Sequence, residues 1–496
     1  MKASFKKKGI ADNQSIRLVG MGFIILNLIF AFYHITFFWG NHDWDWVKGT
    51  TQVLSLNTGM FEGRYAKFIL NVSLFGGQIL PILNNLVAFT LLALGAVLLT
   101  AYWQIKSFTA RLITALVIIT APYVLGWLYF PINILGNFSA VALVAYGLIV
   151  AEKTKWYHKT LSIICFLLAL GVYPSIAEMM IVSFAIRHII SPMKKKEKML
   201  NSLYPLILAL IGFKLLLFVL GKLDIVYSGH YNMQMPTIEE LVWRIPEMVV
   251  LVFSQLLTTL PFLDVKYKIL SLLLLILAIT ATYKRWLWWG IALGATVLST
   301  FLTTAQEETA YMPRINFYGI NFLIAGAVAV LFTQKQKIRN ISSVLCLLLL
   351  WNGVTADFEA FKIWRLGQIA ETALVERISA KIEEITPDKV LVPVIAGELP
   401  LRPRYYASSY QKNSPYVLNG SLLVRHIPSG MFNFYAVTPF FYNYSQIADL
   451  TPELHHFLRV ARRPWPAQDA LFINDKYAVI LLTDEGIAAI QAQLPY

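Results

Sequence analysis

Long apolar runs broken by short polar turns set the pattern of this chain. Residues 18–39, 80–103, 111–129, 134–151, 203–221, 269–283, 286–303, 316–333 and 339–354 are each apolar over most of their length. A hydrocarbon core takes roughly 20 helical residues to cross, so each run is read as a membrane span. Their Leu, Ile, Val and Phe content and their lengths favour helices over short alternating barrel strands. Residues 160–187 contain two apolar halves split at Gly171-Val172-Tyr173-Pro174-Ser175, with basic residues at both outer ends. This predicts two short helices that return to the same side. Residues 237–262, with Glu239, Glu240, Arg244 and two prolines, predict an amphipathic interfacial helix followed by a re-entrant segment. The resulting fold class is mainly α: a polytopic helical membrane protein with about eleven crossings.

The pattern changes near Asp357, where charges and prolines rise and long apolar runs end. Over 357–386, Phe358, Phe361, Ile363, Leu366, Ile369, Leu374, Ile378, Ile382 and Ile385 recur mostly at three- and four-residue steps, which predicts an amphipathic helix. Residues 389–396 and 476–482 read as buried strands. Two domains are expected: a membrane domain over 1–356, with a first loop over 40–79, and a small mixed α/β domain over 357–496.

The basic residues orient this arrangement. Lys2 to Lys8 and Arg17 precede the first span, and Lys106 and Arg111, 153–159, 194–198, Lys284-Arg285 and 335–339 fall at turns between spans, which together mark the cytoplasmic side. The N-terminus is therefore expected inside, and the first loop and C-terminal domain outside. The run 18–39 is too long for a signal-peptide core, so it reads as a retained first helix. Composition agrees with this class, at 57% hydrophobic and 14% charged. The formal charge of +14 is thus a topology signal rather than a nucleic-acid footprint. Cys165 and Cys346 both fall inside apolar runs, which implies no disulfide framework.

Against this apolar background, His42-Asp43-Trp44-Asp45-Trp46 and Glu62-Gly63-Arg64-Tyr65 stand out, because they concentrate scarce acids just beyond the first span. Glycosyl transfer needs a carboxylate to take the proton of an attacking hydroxyl and cations to hold a departing phosphate. Asp43, Asp45 and Glu62 are the candidate catalytic acids. Two aspartates two residues apart share a side in extended chain and diverge in a helix. The same carboxylates also suit a divalent metal, and no other cofactor is indicated. Trp44, Trp46 and Tyr65 offer flat faces for a sugar or for the membrane interface. Arg64, Lys67 and Arg314 are candidate phosphate ligands, with ordinary headgroup anchoring as the alternative use. Lys214 and Glu178, each inside an apolar run, are functional candidates because intramembrane charge is costly. No zinc-spaced His/Cys cluster, phosphate-cradling Gly-rich loop or dinucleotide fingerprint is present. Short Asn-X-Ser patterns such as Asn137-Phe138-Ser139 arise easily by chance and carry no weight.

The acidic first loop ending in Glu62-Gly63-Arg64-Tyr65, the break at Tyr173-Pro174-Ser175 and the tail resemble the GtrII-type bacterial O-antigen glucosyltransferases, within the GT-C class of membrane glycosyltransferases. The resemblance covers most of the membrane part. It implies a polyprenyl-phosphate-linked donor carrying glucose, a cell-surface glycan as acceptor, and action at the outer face of the bacterial inner membrane. It places first-loop acids at the active site. That family commonly shows adjacent acids where this chain has Asp43-Trp44-Asp45, so either aspartate is the candidate base. Two other readings remain for the same pattern: a transporter or flippase of lipid-linked sugar, and a non-catalytic scaffold of polysaccharide assembly. Membrane lipids are expected partners in every case.

Overall fold

The structure is a computed structural model that describes residues 13–29, 64–75, 81–128, 131–192, 196–223, 225, 238–243, 245–247, 249–250, 265–298, 317–386, 392–396, 452–460, 463–474, 477–482 and 484–491. Described residues up to Glu359 form one compact unit and those from Ala360 form another.

The first unit is a helical bundle. Its helices of ten or more described residues are α1 (Asn13–Ile29), α2 (Tyr65–Phe75), α3 (Pro81–Tyr102), α4 (Phe108–Ile119), α5 (Pro131–Ala151), α6 (Trp156–Val172), α7 (Ile176–Ile190), α8 (Lys196–Lys222), α9 (Val265–Ala281), α10 (Trp286–Ala295), α11 (Phe322–Phe332) and the first part of α12 (Gln336–Ile385). Among the described residues five helices are long and apolar enough to cross a membrane, or six with the bent pair α9 and α10 taken as one span. Every residue of α11 is buried, as a helix apolar on all sides requires. It packs on α4, α7 and α9, while α5 packs on α3 and α6.

The rim helices reverse the soluble-protein pattern. On α8, Ile207, Leu208, Ile211, Leu215, Phe218 and Val219 are exposed; on α12, Ile341, Val344, Leu347, Leu348 and Trp351 are. Three- and four-residue steps put each set on one helix face, and apolar stripes of this size suit lipid rather than water. The bundle is that of a transmembrane protein.

At one end of the bundle the turns are basic. There Arg187 donates to Glu152 at 2.9 Å and to the carbonyl of Ser191 at 2.8 Å, and its guanidinium lies 6.0 Å from the Tyr102 ring. Burial holds the Glu152 carboxyl above its ordinary value, while Arg187 pulls the other way. Lys159 donates to the carbonyls of Ala151, at 2.6 Å, and Asn201. These contacts bring the start of α6 and the end of α7 to the same end of the bundle. The break between them stands at the other, as the split at 171–175 predicts.

Three local features depart from the apolar pattern. The run 111–129 is interrupted: α4 stops at Ile119, and Pro122 opens a 3-10 turn, Pro122–Val124, that leads into Leu125–Leu128. Proline at that point has no N–H to continue the helix. The runs 269–283 and 286–303, read as successive crossings, become α9 and α10 set at 91°. Trp289 Nε1 donates to Thr282 Oγ1 at 3.0 Å, and that hydroxyl donates to the Ala278 carbonyl, which ties α10 back to the end of α9. Finally, the span over 339–354 and the amphipathic helix over 357–386 are one continuous helix, α12. No proline falls between residue 336 and Pro387, so the change in composition at Asp357 does not stop it.

The second unit contains the end of α12 and a three-stranded sheet ordered β1 (Val392–Ala396), β3 (Tyr477–Leu481), β2 (Leu471–Ile473). Between β1 and β2 lies α13 (Pro452–Val460), and α14 (Asp484–Gln491) follows β3. β1 and β3 pair in parallel with Val394 opposite Val479, and β2 pairs antiparallel to β3 with Phe472 opposite Val479. The core of this unit joins Leu454 and Leu458 of α13 to Val479 and Leu481 of β3 and Ile487 of α14. Phe457 stacks on Phe472 at 5.0 Å.

Candidate functional site

The site grows from the start of α2. Arg64 caps that helix: its carbonyl accepts from the backbone of Lys67 at 3.0 Å and of Phe68 at 3.3 Å. Its guanidinium sits 5.0 Å from the centre of the Tyr173 ring, a cation–π contact at the break between α6 and α7. Lys67 is buried, with its stem directed toward Gly136 of α5. Tyr65 donates its hydroxyl to the Leu167 carbonyl at 2.7 Å and lies 6.4 Å from Phe213 of α8. Gly171 admits the Tyr65 ring: a Cβ on that glycine would stand 2.4 Å from Tyr65 Cζ.

Tyr173 belongs to a cluster of three rings. Trp127 meets it edge-on at 5.0 Å, and Tyr318 lies 5.8 Å from Trp127 and 6.1 Å from Tyr173. Tyr318 is fully buried in the π-helical turn Phe317–Asn321, and its hydroxyl donates to Asn137 Oδ1 at 2.7 Å. Asn137 in turn donates to the Asn133 carbonyl, one turn back in α5. Glu178, in the first turn of α7, is fully buried, and its Oε2 lies where a Cβ on Gly319 would meet it at 2.8 Å.

The structure therefore assembles what the sequence holds far apart. Arg64, Tyr65, Lys67 and the break at Tyr173 come together, with Glu178 just beyond it against the turn that carries Tyr318. Lys214 is not part of this group: it is exposed on α8 among the lipid-facing Ile211 and Leu215, next to the Phe213 that faces Tyr65. Asp43, Trp44, Asp45, Trp46, Glu62 and Arg314 lie outside the described residues. Trp127, Asn137 and Tyr318 are additions that the sequence reading lacks. Asn133 and Asn137, one turn apart in an apolar run, were the available signal, since an amide buried in a span needs a partner.

Chemically, a positive helix start, a guanidinium and an ammonium suit an anionic group such as a phosphate. The flat rings with polar edges beside them suit a sugar. Among the described residues no group of three or more His, Cys, Asp or Glu side chains is arranged to hold a metal.

No curated protein and no solved structure matches this chain. A family model described as Glucosyl transferase GtrII matches residues 50–306, just over half of the 496 residues, and that region contains Arg64, Lys67, Trp127, Asn137, Tyr173 and Glu178. The chain belongs to the GtrII glucosyl transferase family, and it is a glycosyltransferase.

Proposed function

We propose that the protein transfers a glucosyl group from a polyprenyl-phosphate-linked donor to a cell-surface glycan such as O-antigen, at the outer face of a bacterial inner membrane. The observation that carries this reading is the meeting of Arg64, at the start of α2, with the ring cluster of Tyr173, Trp127 and Tyr318, while Lys67 lies buried in the first turn of the same helix. A lipid-linked sugar phosphate presents both chemistries, an anion and a hydroxylated ring, and family membership supports the transfer. In this reading the basic end of the bundle is cytoplasmic, residues 1–356 form the membrane domain, and residues 357–496 form the extracytoplasmic domain.

Asp43 or Asp45 takes the proton of the acceptor hydroxyl as that oxygen bonds to the sugar's anomeric carbon. The bond from that carbon to the phosphate oxygen breaks, and the polyprenyl phosphate leaves. Arg64, Lys67 and Arg314 hold the charge on the departing phosphate, and Lys214 meets it from the lipid side. Trp44, Trp46 and Tyr65 hold the sugar, Glu62 orients the acid pair, and Glu178 stands behind the sugar site beyond the break at Tyr173.

A positioned base contributes roughly 100- to 10,000-fold. Asp43→Asn or Asp45→Asn is therefore expected to remove most transfer while expression and membrane insertion stay normal, as read by glucose incorporation in membranes. Near-normal transfer by both variants would end this assignment. Loss of wild-type transfer on adding a chelator would instead assign the aspartates to a divalent cation.

A further inference from the structure

The Tyr173 ring that meets Arg64 ends a chain of contacts that begins on α5. Asn137 is anchored by its own amide, which donates to the Asn133 carbonyl at 2.7 Å. Its Oδ1 accepts from the Tyr318 hydroxyl, also at 2.7 Å, so one amide ties the π-helical turn Phe317–Asn321 to α5. Phe317 adds to this tie, with its ring 6.1 Å from that of Phe138. Gly319 holds the same turn close to Thr296: a Cβ on that glycine would stand 2.8 Å from the Thr296 carbonyl oxygen. Tyr318 is thereby fixed through both its backbone and its hydroxyl. Its ring lies 6.1 Å from Tyr173 at 31°, and Trp127 closes the triangle, 5.8 Å from Tyr318 and edge-on to Tyr173.

A cation–π contact acts through the face of the ring, so where the cation rests depends on how that ring is held. Asn137, Tyr318 and Trp127 are buried, whereas Arg64 is only partly so. The buried members therefore need no access to a substrate, because they act through a partly exposed guanidinium. Short π-helical stretches recur at functional sites. This one lies beyond residue 306, where the match to the family model ends, yet it packs on Asn137 inside that match. We propose that Tyr318 and Asn137 are positioning residues for the donor: they hold the Tyr173 face on which the Arg64 guanidinium rests, and so set where that guanidinium meets the donor phosphate. The inference rests on the proposed grip of Arg64 on that phosphate.

The test uses full-length protein in nanodiscs and compares wild type, Tyr318→Phe, Arg64→Gln and the variant carrying both changes. Two quantities are read: equilibrium binding of polyprenyl phosphate, the leaving group of the proposed reaction, and the KM of donor and acceptor in transfer. Tyr318→Phe keeps the ring and removes its bond to Asn137. Polyprenyl phosphate binding is expected to weaken, and donor KM to rise, by about three- to tenfold, the worth of a neutral hydrogen bond, with kcat and acceptor KM within about twofold of wild type. In the Arg64→Gln background the same change is expected to add less than about twofold, because the tyrosine acts through the guanidinium. Equal factors in both backgrounds, or parallel rises in donor and acceptor KM, would make the bond purely structural and overturn the proposal. So would unchanged binding and KM in Tyr318→Phe while Arg64→Gln weakens both. If Tyr318→Phe does not fold, Asn137→Leu, which removes the acceptor, is put through the same comparison, and failure of both to fold overturns the proposal by assigning the pair to the fold alone. Arg64→Gln that binds polyprenyl phosphate as wild type does would overturn the grip itself. Wild-type protein that binds polyprenyl phosphate through Arg64 and Tyr318 yet transfers no glucose would overturn the transfer reading and leave the positioning standing.

Discussion

Single residues decide how closely the cationic and aromatic parts of the site approach. Gly171 and Gly319 matter for the space they leave, one for the Tyr65 ring and the other for Glu178 and the backbone of Thr296. Gly171→Ala is expected to push Tyr65 off the Leu167 carbonyl and destabilise the protein by about 1–3 kcal/mol, the usual range for overpacking. Tyr65→Phe keeps the ring and removes only its hydrogen bond, for about 1 kcal/mol. Thermal unfolding in one detergent checks the order, and an equal or larger loss in Tyr65→Phe would contradict it. At this scale the sequence was partly legible. Gly171 and Pro174 marked the break, because glycine and proline interrupt helices for reasons local to the chain. Tyr318 and Asn137 were not legible as a pair: they meet across 181 residues, and nothing local to either announces the other.

Helices in this bundle are sorted by which neighbour they bury against. The apolar run that became α11 and the one that became α8 look alike as sequence, yet the first is wholly enclosed and the second lines the rim. Gly326 of α11 lies against Ile186 of α7, where a Cβ would stand 2.5 Å from Cγ1. Gly326→Val is therefore expected to destabilise the protein by about 1–3 kcal/mol. Leu215→Ala, on the exposed face of α8, is expected to change stability by less than about 0.5 kcal/mol. Urea or thermal melts in nanodiscs distinguish the two, and similar losses would mean that α8 is as enclosed as α11. The spans at 80–103, 134–151, 203–221 and 339–354 were legible because apolar length is a local property. The 91° angle between α9 and α10, across a turn that the Trp289 bond to Thr282 spans, was not, since no proline or glycine falls at residues 282–285 to mark it. The strands β1 and β3 were legible as apolar runs, whereas β2, three residues long, offers too little pattern to read.

For the whole molecule, orientation and chemistry stand or fall together, because a donor and acceptor at the outer face require the first loop and the C-terminal domain on that side. Cysteines placed at Asn41 and Ser414 are expected to react with a membrane-impermeant reagent in intact spheroplasts. Labelling at only one of them would contradict the proposed topology. The most direct measurement is steady-state transfer by purified wild-type and Arg64→Gln protein, with polyprenyl-phosphate glucose and acceptor glycan varied in turn. Charge-assisted hydrogen bonds contribute about 1.5–3 kcal/mol, so removing the guanidinium is expected to raise donor KM roughly 10- to 100-fold and leave acceptor KM nearly unchanged. Equal changes in both constants, or none in either, would contradict the account that Arg64 grips the donor phosphate.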